Sequence, residues 1–201
     1  MGLRELKRAR TRRLIADTAV ELFSEHGFSR TTVEQIAEAA EVGPTTLYRY
    51  FPTKEALVLE FFEDCFVDIG TWLREQPHVA VPELLRALVE RVLREMEGRP
   101  DRVRVTIELA ARTPSISAYL SELNNRLRNT VADELVRRLP GSDPRLTAAL
   151  MAGATVSTID VVLRFWSENP DHLRPLPLVR QAMTLLERFS AESAGCSEQR
   201  P

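Results

Sequence analysis

Apolar residues recur at helical spacing along almost the whole chain, and no stretch alternates convincingly at the two-residue period of a strand. Cut at intervals by Pro and Gly, that pattern predicts an all-α fold of about nine helices. The first helix is expected from about Arg8 to His26. Ile15, Ala19, Leu22 and Phe23 fall at i, i+4, i+7 and i+8 and form one apolar stripe. Gly27 follows as a natural C-cap. Thr32 opens a short helix with Gln35 three residues on, a capping-box pattern, and Val33, Ile36, Ala37 and Ala40 form its buried face. Gly43-Pro44 starts a third helix, since proline suits the first helical turn. Pro52-Thr53 ends it, and Thr53 caps a longer helix expected to reach about Arg74. Breaks at Gln76-Pro77, Gly98-Arg99-Pro100, Thr113-Pro114, Pro140-Gly141-Ser142-Asp143-Pro144 and Asn169-Pro170 separate five further segments.

With 44% hydrophobic and 28% charged residues in 201, such a chain buries a core without covalent staples. Cys65 and Cys196 lie far apart, outside any CxxC or Cys/His cluster, so neither a disulfide framework nor a metal site is expected. That usage fits a reducing cytoplasm. The basic N-terminus lacks the apolar run of a secretory signal. The most apolar segment, Leu146 to Trp166, is broken by polar residues and is read as falling short of the ~18 apolar residues of a membrane span, so no membrane partner is expected. The net charge of -2 hides an asymmetry. Arg4, Lys7, Arg8, Arg10, Arg12 and Arg13 face only Glu5 in the first stretch, and the rest is acidic overall. A basic arm on an acidic body suits an anionic partner, nucleic acid or an anionic membrane surface, or serves only to keep a solvated terminus soluble.

Residues 31–57, TTVEQIAEAAEVGPTTLYRYFPTKEAL, are the informative stretch. Reading a major groove takes two short helices joined by a tight turn, the second apolar beneath and polar above. With Leu47 set toward the core, a step of about 100° per residue brings Phe51 and Tyr50 near the inner side. Thr45 and Arg49 then point outward, flanked by Thr46 and Tyr48. These side chains suit phosphate and base edges, and Arg49 is placed either to grip guanine or to neutralise phosphate. The helix starts at Thr32 and Thr53 favour phosphate oxygens, with Lys54 adding charge, and the basic arm can add backbone or minor-groove contacts. The competing structural reading is a three-helix unit with an ordinary polar face.

The order of basic arm, an apolar helix ending in ELFSEHGF, then TTVEQIAEAAEV and TTLYRYFPTKEAL resembles the TetR family of bacterial regulators over about Thr11 to Leu59. That resemblance implies an N-terminal helix-turn-helix DNA-binding domain at 8–53, with the motif itself at about 32–51. It implies a ligand-binding and dimerisation domain at 54–193. Residues 1–7 and 194–201 are expected to be flexible termini. Pro44, Thr45 and Tyr48 match family positions that contact bases or groove walls, and Thr46, Tyr50 and Lys54 match phosphate-contacting positions. Leu47 and Phe51 match core positions. The chain departs from the pattern at Glu41, where many members have glycine in the turn. A non-glycine residue at positive φ costs about 1 kcal/mol, and Gly43 is the nearby position to which the turn can shift.

The resemblance further implies a homodimer and a small-molecule inducer that moves the paired DNA-binding domains out of register with a palindromic operator. The segments IELAARTPSISAYLSELNNRLRNTVADEL and LTAALMAGATVSTIDVVLRFW are similar to a subgroup with acyl-CoA-like ligand-binding domains, so an acyl-CoA-like or hydrophobic inducer is expected and no tightly held cofactor. Pocket candidates are Trp72, Arg104, Glu108, Arg112, Tyr119, Asn124, Thr158 and Trp166, with Arg128 and Asp160. Asp160 and Arg164, spaced i, i+4, can simply pair with each other. Arg102, Arg104 and Arg112 suit an anionic headgroup or a solvated face, and the solvated face is the expectation. Leu146–Trp166 is apolar on more than one face. With the helix expected from Leu176 to Phe189, it forms the candidate four-helix dimer interface, the alternative being an intramolecular core helix.

An enzyme would need a constellation that is missing here. His26, His78 and His172 sit near helix ends or loops, and HExxH, GxSxG and a glycine-rich phosphate loop are absent. The alternative outside DNA binding is a helical protein-interaction module, against which the outward face of Thr45, Thr46, Tyr48 and Arg49 argues. The sequence does not separate activator from repressor. It places the protein in the cytoplasm, at the nucleoid.

Overall fold

The computed structural model describes residues 2–76, 79–141, 143–169, 173–182 and 184. It is 82% helical, with no strand among the described residues. Among the described residues nine helices follow one another, and residues 175–182 form a further helical stretch. The expected helix from Leu176 to Phe189 is therefore helical as far as 182, and 185–189 lie outside the described residues, as do 194–201. Contacts divide the chain into two compact units, Met1–Val67 with Asp101–Asn125, and Asp68–Pro100 with Arg126–Pro201.

In the first unit, α1 (Leu3–His26) begins well before the expected Arg8. Leu3 to Arg10 are all residues that a helix tolerates well, and Glu5 in the first turn accepts from the Gly2 N–H at 2.8 Å. The helix stops at Gly27, whose φ of 84° is one that a Cβ would strain. α2 (Val33–Ala39) and α3 (Pro44–Tyr50) follow, then α4 (Lys54–Val67). Ile15, Ala16, Ala19 and Phe23 of α1, Ile36 and Ala37 of α2, Leu47 of α3 and Phe51 are all essentially without exposure, with α1 packed on α2 and α4 and α2 packed on α3. Each large side chain so buried contributes about 1.5–3 kcal/mol. Val33, expected on this face, is only half-buried. α7 (Pro100–Arg112) and the start of α8 (Pro114–Val136), as far as Asn125, belong to the same unit.

The helix expected from Thr53 to about Arg74 is in fact two, α4 and α5 (Ile69–Arg74), separated at Asp68. Val67-Asp68-Ile69-Gly70 combines two β-branched residues, an aspartate and a glycine, all weak helix formers. Period alone does not reveal the break, since Cys65, Ile69 and Leu73 keep the i, i+4, i+8 register and are all buried.

The second unit holds α5, α6 (Val81–Glu97), the rest of α8, and α9 (Arg145–Glu168), with α6 packed on α9. α9 is apolar on two sides. Ala148, Ala152, Val156, Ile159, Leu163 and Trp166 are buried, whereas Leu146, Leu150, Val161 and Phe165 are 67, 66, 48 and 57% exposed. By length and composition α9 does meet the requirement for a membrane span, contrary to expectation, because Thr, Ser, Gly and Ala dilute its hydropathy little and charges are few. Nearly half of its most apolar stretch is buried against the rest of the protein.

Candidate nucleic-acid interface

The turn between α2 and α3 is built by local rules. Thr32 Oγ1 accepts from the Gln35 N–H at 3.2 Å, and Gln35 Oε1 accepts from the Thr32 N–H at 2.8 Å, which closes the expected capping box. At the other end of α2 the Glu41 N–H donates to Glu38 O and the Val42 N–H to Ala37 O, at 3.0 and 2.9 Å. That pair of bonds is a Schellman motif, and it needs one left-handed residue. Glu41 supplies it at φ 54°. Gly43 instead sits extended at φ -69° as the N-cap of α3, so the turn has not moved to the glycine. Pro44 takes the first helical position, as expected.

On α3, Leu47 is buried while Pro44, Thr45, Tyr48 and Arg49 are exposed, and Thr46 and Tyr50 are half-buried. Tyr48 keeps 51% of its surface open, which leaves its ring and hydroxyl accessible on the outward side. The guanidinium groups of Arg8 and Arg49 both lie over the Tyr50 ring, 6.0 and 5.7 Å from its centre. α3 thus presents hydroxyls, a phenol and a cation on one side and an apolar anchor on the other. Thr32, at the α2 start, is also exposed.

Lys54 has a different setting from the others. Its Nζ donates to Thr31 O at 2.8 Å and lies 4.3 Å from the centre of the Phe28 ring and 5.7 Å from that of Phe23. Desolvation lowers its pKa, partly offset by Glu55. In this state Lys54 fastens the start of α4 to the loop after α1. Thr53 caps α4 as expected, accepting from the Ala56 N–H at 3.2 Å.

One of the arm's cations is committed inside the protein. Arg12 faces Glu60, Glu63 and Asp64 of α4 at 3.1, 3.1 and 2.6 Å, and lies 5.2 Å from the centre of the Phe51 ring. Glu60, 2% exposed, uses its other oxygen on Arg102 of α7 at 3.5 Å. Burial raises the Glu60 pKa, as does Asp64, against the lowering by Arg102 and Arg12. Arg102, expected on a solvated face, is only 6% exposed. Its Nη1 donates to Ala16 O at 2.7 Å and its Nη2 to Leu57 O at 3.2 Å. The expectation fails because helical spacing shows which residues share a face and not which face meets another helix. A signal was present in LVLEFF, where Glu60 is a carboxylate inside an apolar run and therefore calls for a buried cation.

The predicted ligand residues fall in both units. In the first, Arg104 pairs on the surface with Glu108 at 3.0 Å, and Tyr119 donates to Glu63 at 2.7 Å. Glu108 and Arg112 line a cavity of about 360 Å³ with Phe23, Phe28, Val105 and Leu109. Asn124 is half-buried. In the second unit, Trp72 is half-buried under the Arg91 guanidinium, 5.3 Å from the ring centre. Thr158 donates back to Ala154 O of its own helix, and Trp166 is a core residue. Arg128 is half-buried. Asp160 pairs with Arg164 at 3.0 Å.

A short helix braced by another across a tight turn, polar outward and anchored inward, defines a helix-turn-helix DNA-binding unit. Residues 15–61 match the family model of the N-terminal domain of bacterial regulatory proteins of the tetR family, and residues 75–191 match that of the MftR C-terminal domain. The chain belongs to the TetR family, whose members are regulators rather than enzymes. It is 37% identical over 143 residues to the HTH-type transcriptional regulator TcmR of Streptomyces glaucescens, a match spanning 65% of this chain and 63% of TcmR. It is 28% identical over 163 residues to the putative mycofactocin biosynthesis transcriptional regulator MftR of Mycobacterium tuberculosis, spanning 79% and 82%. The fold resembles those of FadR from Thermus thermophilus in complex with lauroyl-CoA (TM-score 0.59, 22% identity, 87% of this chain and 92% of that one) and FadR from Bacillus subtilis in complex with stearoyl-CoA (0.61, 22%, 86% and 96%).

Proposed function

We propose that the protein is a transcriptional repressor that binds a palindromic operator as a homodimer, at the nucleoid, and leaves it when a small molecule occupies its C-terminal helical region. The observation that carries this reading is the division of α3 into the buried anchor Leu47 and the exposed set Pro44, Thr45, Tyr48 and Arg49. In the complex, Tyr48, Thr45 and Pro44 meet bases or groove walls, and Arg49 meets guanine or phosphate. Thr32, Thr46 and Tyr50 face the backbone. Lys54, with one of its three N–H donors on Thr31, has two left for phosphate.

Dimerisation is supported by the outer side of α9, where exposed Leu146, Leu150, Val161 and Phe165 flank Gly153 and Ala154. A second copy of this stripe covers it, with the small residues allowing close approach. For the inducer, the two FadR structures that hold acyl-CoA molecules make long-chain acyl-CoA the first class to test.

The test is fluorescence anisotropy on the duplex upstream of the protein's own gene, at two salt concentrations and with unrelated competitor DNA. The intact chain is expected to bind tightly through the competitor, the Tyr48→Ala/Arg49→Ala variant to lose that binding, and lauroyl-CoA to release the DNA. Weak binding, equal on both duplexes and collapsing with salt, would leave only non-specific association.

A further inference from the structure

Within the first unit the side chains of α1, α4, α7 and α8 converge on two carboxylates. Glu60 holds Arg12 with one oxygen and Arg102 with the other, at 3.1 and 3.5 Å. Glu63 receives Arg12 on one oxygen and the Tyr119 hydroxyl on the other, at 3.1 and 2.7 Å. Arg12 lies over Phe51, the residue that ends the recognition helix α3. Arg102 also reaches the main chain of two helices at once, Ala16 O of α1 and Leu57 O of α4, while Thr106 donates to Val58 O at 3.3 Å.

We infer that Arg102, Glu60 and Arg12 form one positioning relay, through which α7 sets the seating of the recognition helix. None of the three touches DNA in this scheme, and the relay rests on the DNA-binding reading above. The chemistry favours a relay over a set of separate ties. Glu60 is too deeply buried to be solvated, so its charge depends on both arginines together, and loss of either leaves a buried carboxylate with one of its two cations. A guanidinium is a rigid planar fork, so Arg102 bonds to α1 and α4 only at one separation of those helices. Lysine carries the same charge without the fork. If α7 shifts, Arg102 cannot keep both carbonyls, and through Glu60 the placement of Arg12 over Phe51 changes as well.

The experiment uses the full chain and a duplex that the intact protein recovers from a random-sequence pool. Dissociation constants are measured on that duplex and on an unrelated one of equal length, across a salt series, with Tm recorded alongside. Arg102→Lys is expected to weaken the selected duplex about three- to thirtyfold, with the unrelated duplex and the salt slope unchanged, because the phosphate contacts remain. Glu60→Gln is expected to act in the same direction, and the Arg102→Lys/Glu60→Gln double variant to lose less than the two combined. A merely structural role would lower Tm and leave the ratio between duplexes intact in the folded protein, which overturns the relay, as would additive losses. Should Arg102→Lys not fold, Tyr119→Phe removes only the bond to Glu63 and is expected to narrow the ratio to a smaller degree; an unchanged ratio overturns the proposal. Recovery of no duplex overturns the DNA-binding reading and the relay with it.

Discussion

Glu41 holds the one left-handed backbone position in the helix-turn-helix, at φ 54°, and it holds it with a Cβ that crowds its own carbonyl. Its side chain is exposed, and the two bonds that close the turn come from main-chain N–H groups at 41 and 42. Glycine can make both bonds without the strain, although it gives up more conformational freedom on folding. Glu41→Gly is therefore expected to stabilise the protein by about 0.5–1 kcal/mol, read from the urea midpoint at constant slope. A loss of stability would mean that the Glu41 side chain carries a contact of its own. Much at this scale was legible in the sequence. The capping box of Thr32 and Gln35, Thr53 as a cap, Gly27 as a stop and Pro44 as a start all follow from bonds within four residues. Arg102 and Glu60 were not legible, because their bonds span 42 to 86 positions and depend on which helices meet.

Helix ends are held by the same economy over longer distances in the second unit. Arg138 of the segment after α8 donates to Leu73 O and Gln76 O and so satisfies carbonyls at the end of α5. Glu134, one turn earlier, holds both Arg137 and Arg138. Burial alone would raise the Glu134 pKa, but hydrogen bonds from Arg137 and Arg138 and their charges outweigh it and bring it below the ordinary value. A carboxylate depressed in the folded state contributes stability above its unfolded pKa, and that contribution falls away as pH drops through the folded one. Glu134→Gln is expected to be less stable than the parent at pH 7, with the difference shrinking below about pH 4.5. Thermal melts of both proteins from pH 7 to pH 3 check this, and a constant difference would contradict it. The all-helical class and most helix starts could be read in advance. The break at Asp68 could not, because Cys65, Ile69 and Leu73 keep one register on both sides of it.

For the whole molecule, α9 states its relations twice, once inward with Ala148, Ala152, Val156 and Trp166 and once outward with Leu146, Leu150, Val161 and Phe165. The sequence showed apolar residues on more than one face and left open whether a second copy or the chain's own core would cover them. The inner face answers half of that, and oligomeric state answers the rest. Sedimentation of the parent is expected to give a dimer at micromolar concentration and Leu150→Arg a folded monomer, since a charge set within an apolar seam is left without water or partner. A parent that sediments as a monomer would leave the outer stripe unexplained.

That outer stripe also bears on how sharply a cell could use the protein. If two copies must join through α9 before a palindrome is gripped, then below the dimer dissociation constant the amount of competent repressor rises with the square of the chain's abundance. Halving synthesis would then cut the competent form about fourfold. A modest fall in expression would open the regulated gene much as an inducer does, and the threshold would be set by the residues of one helix face.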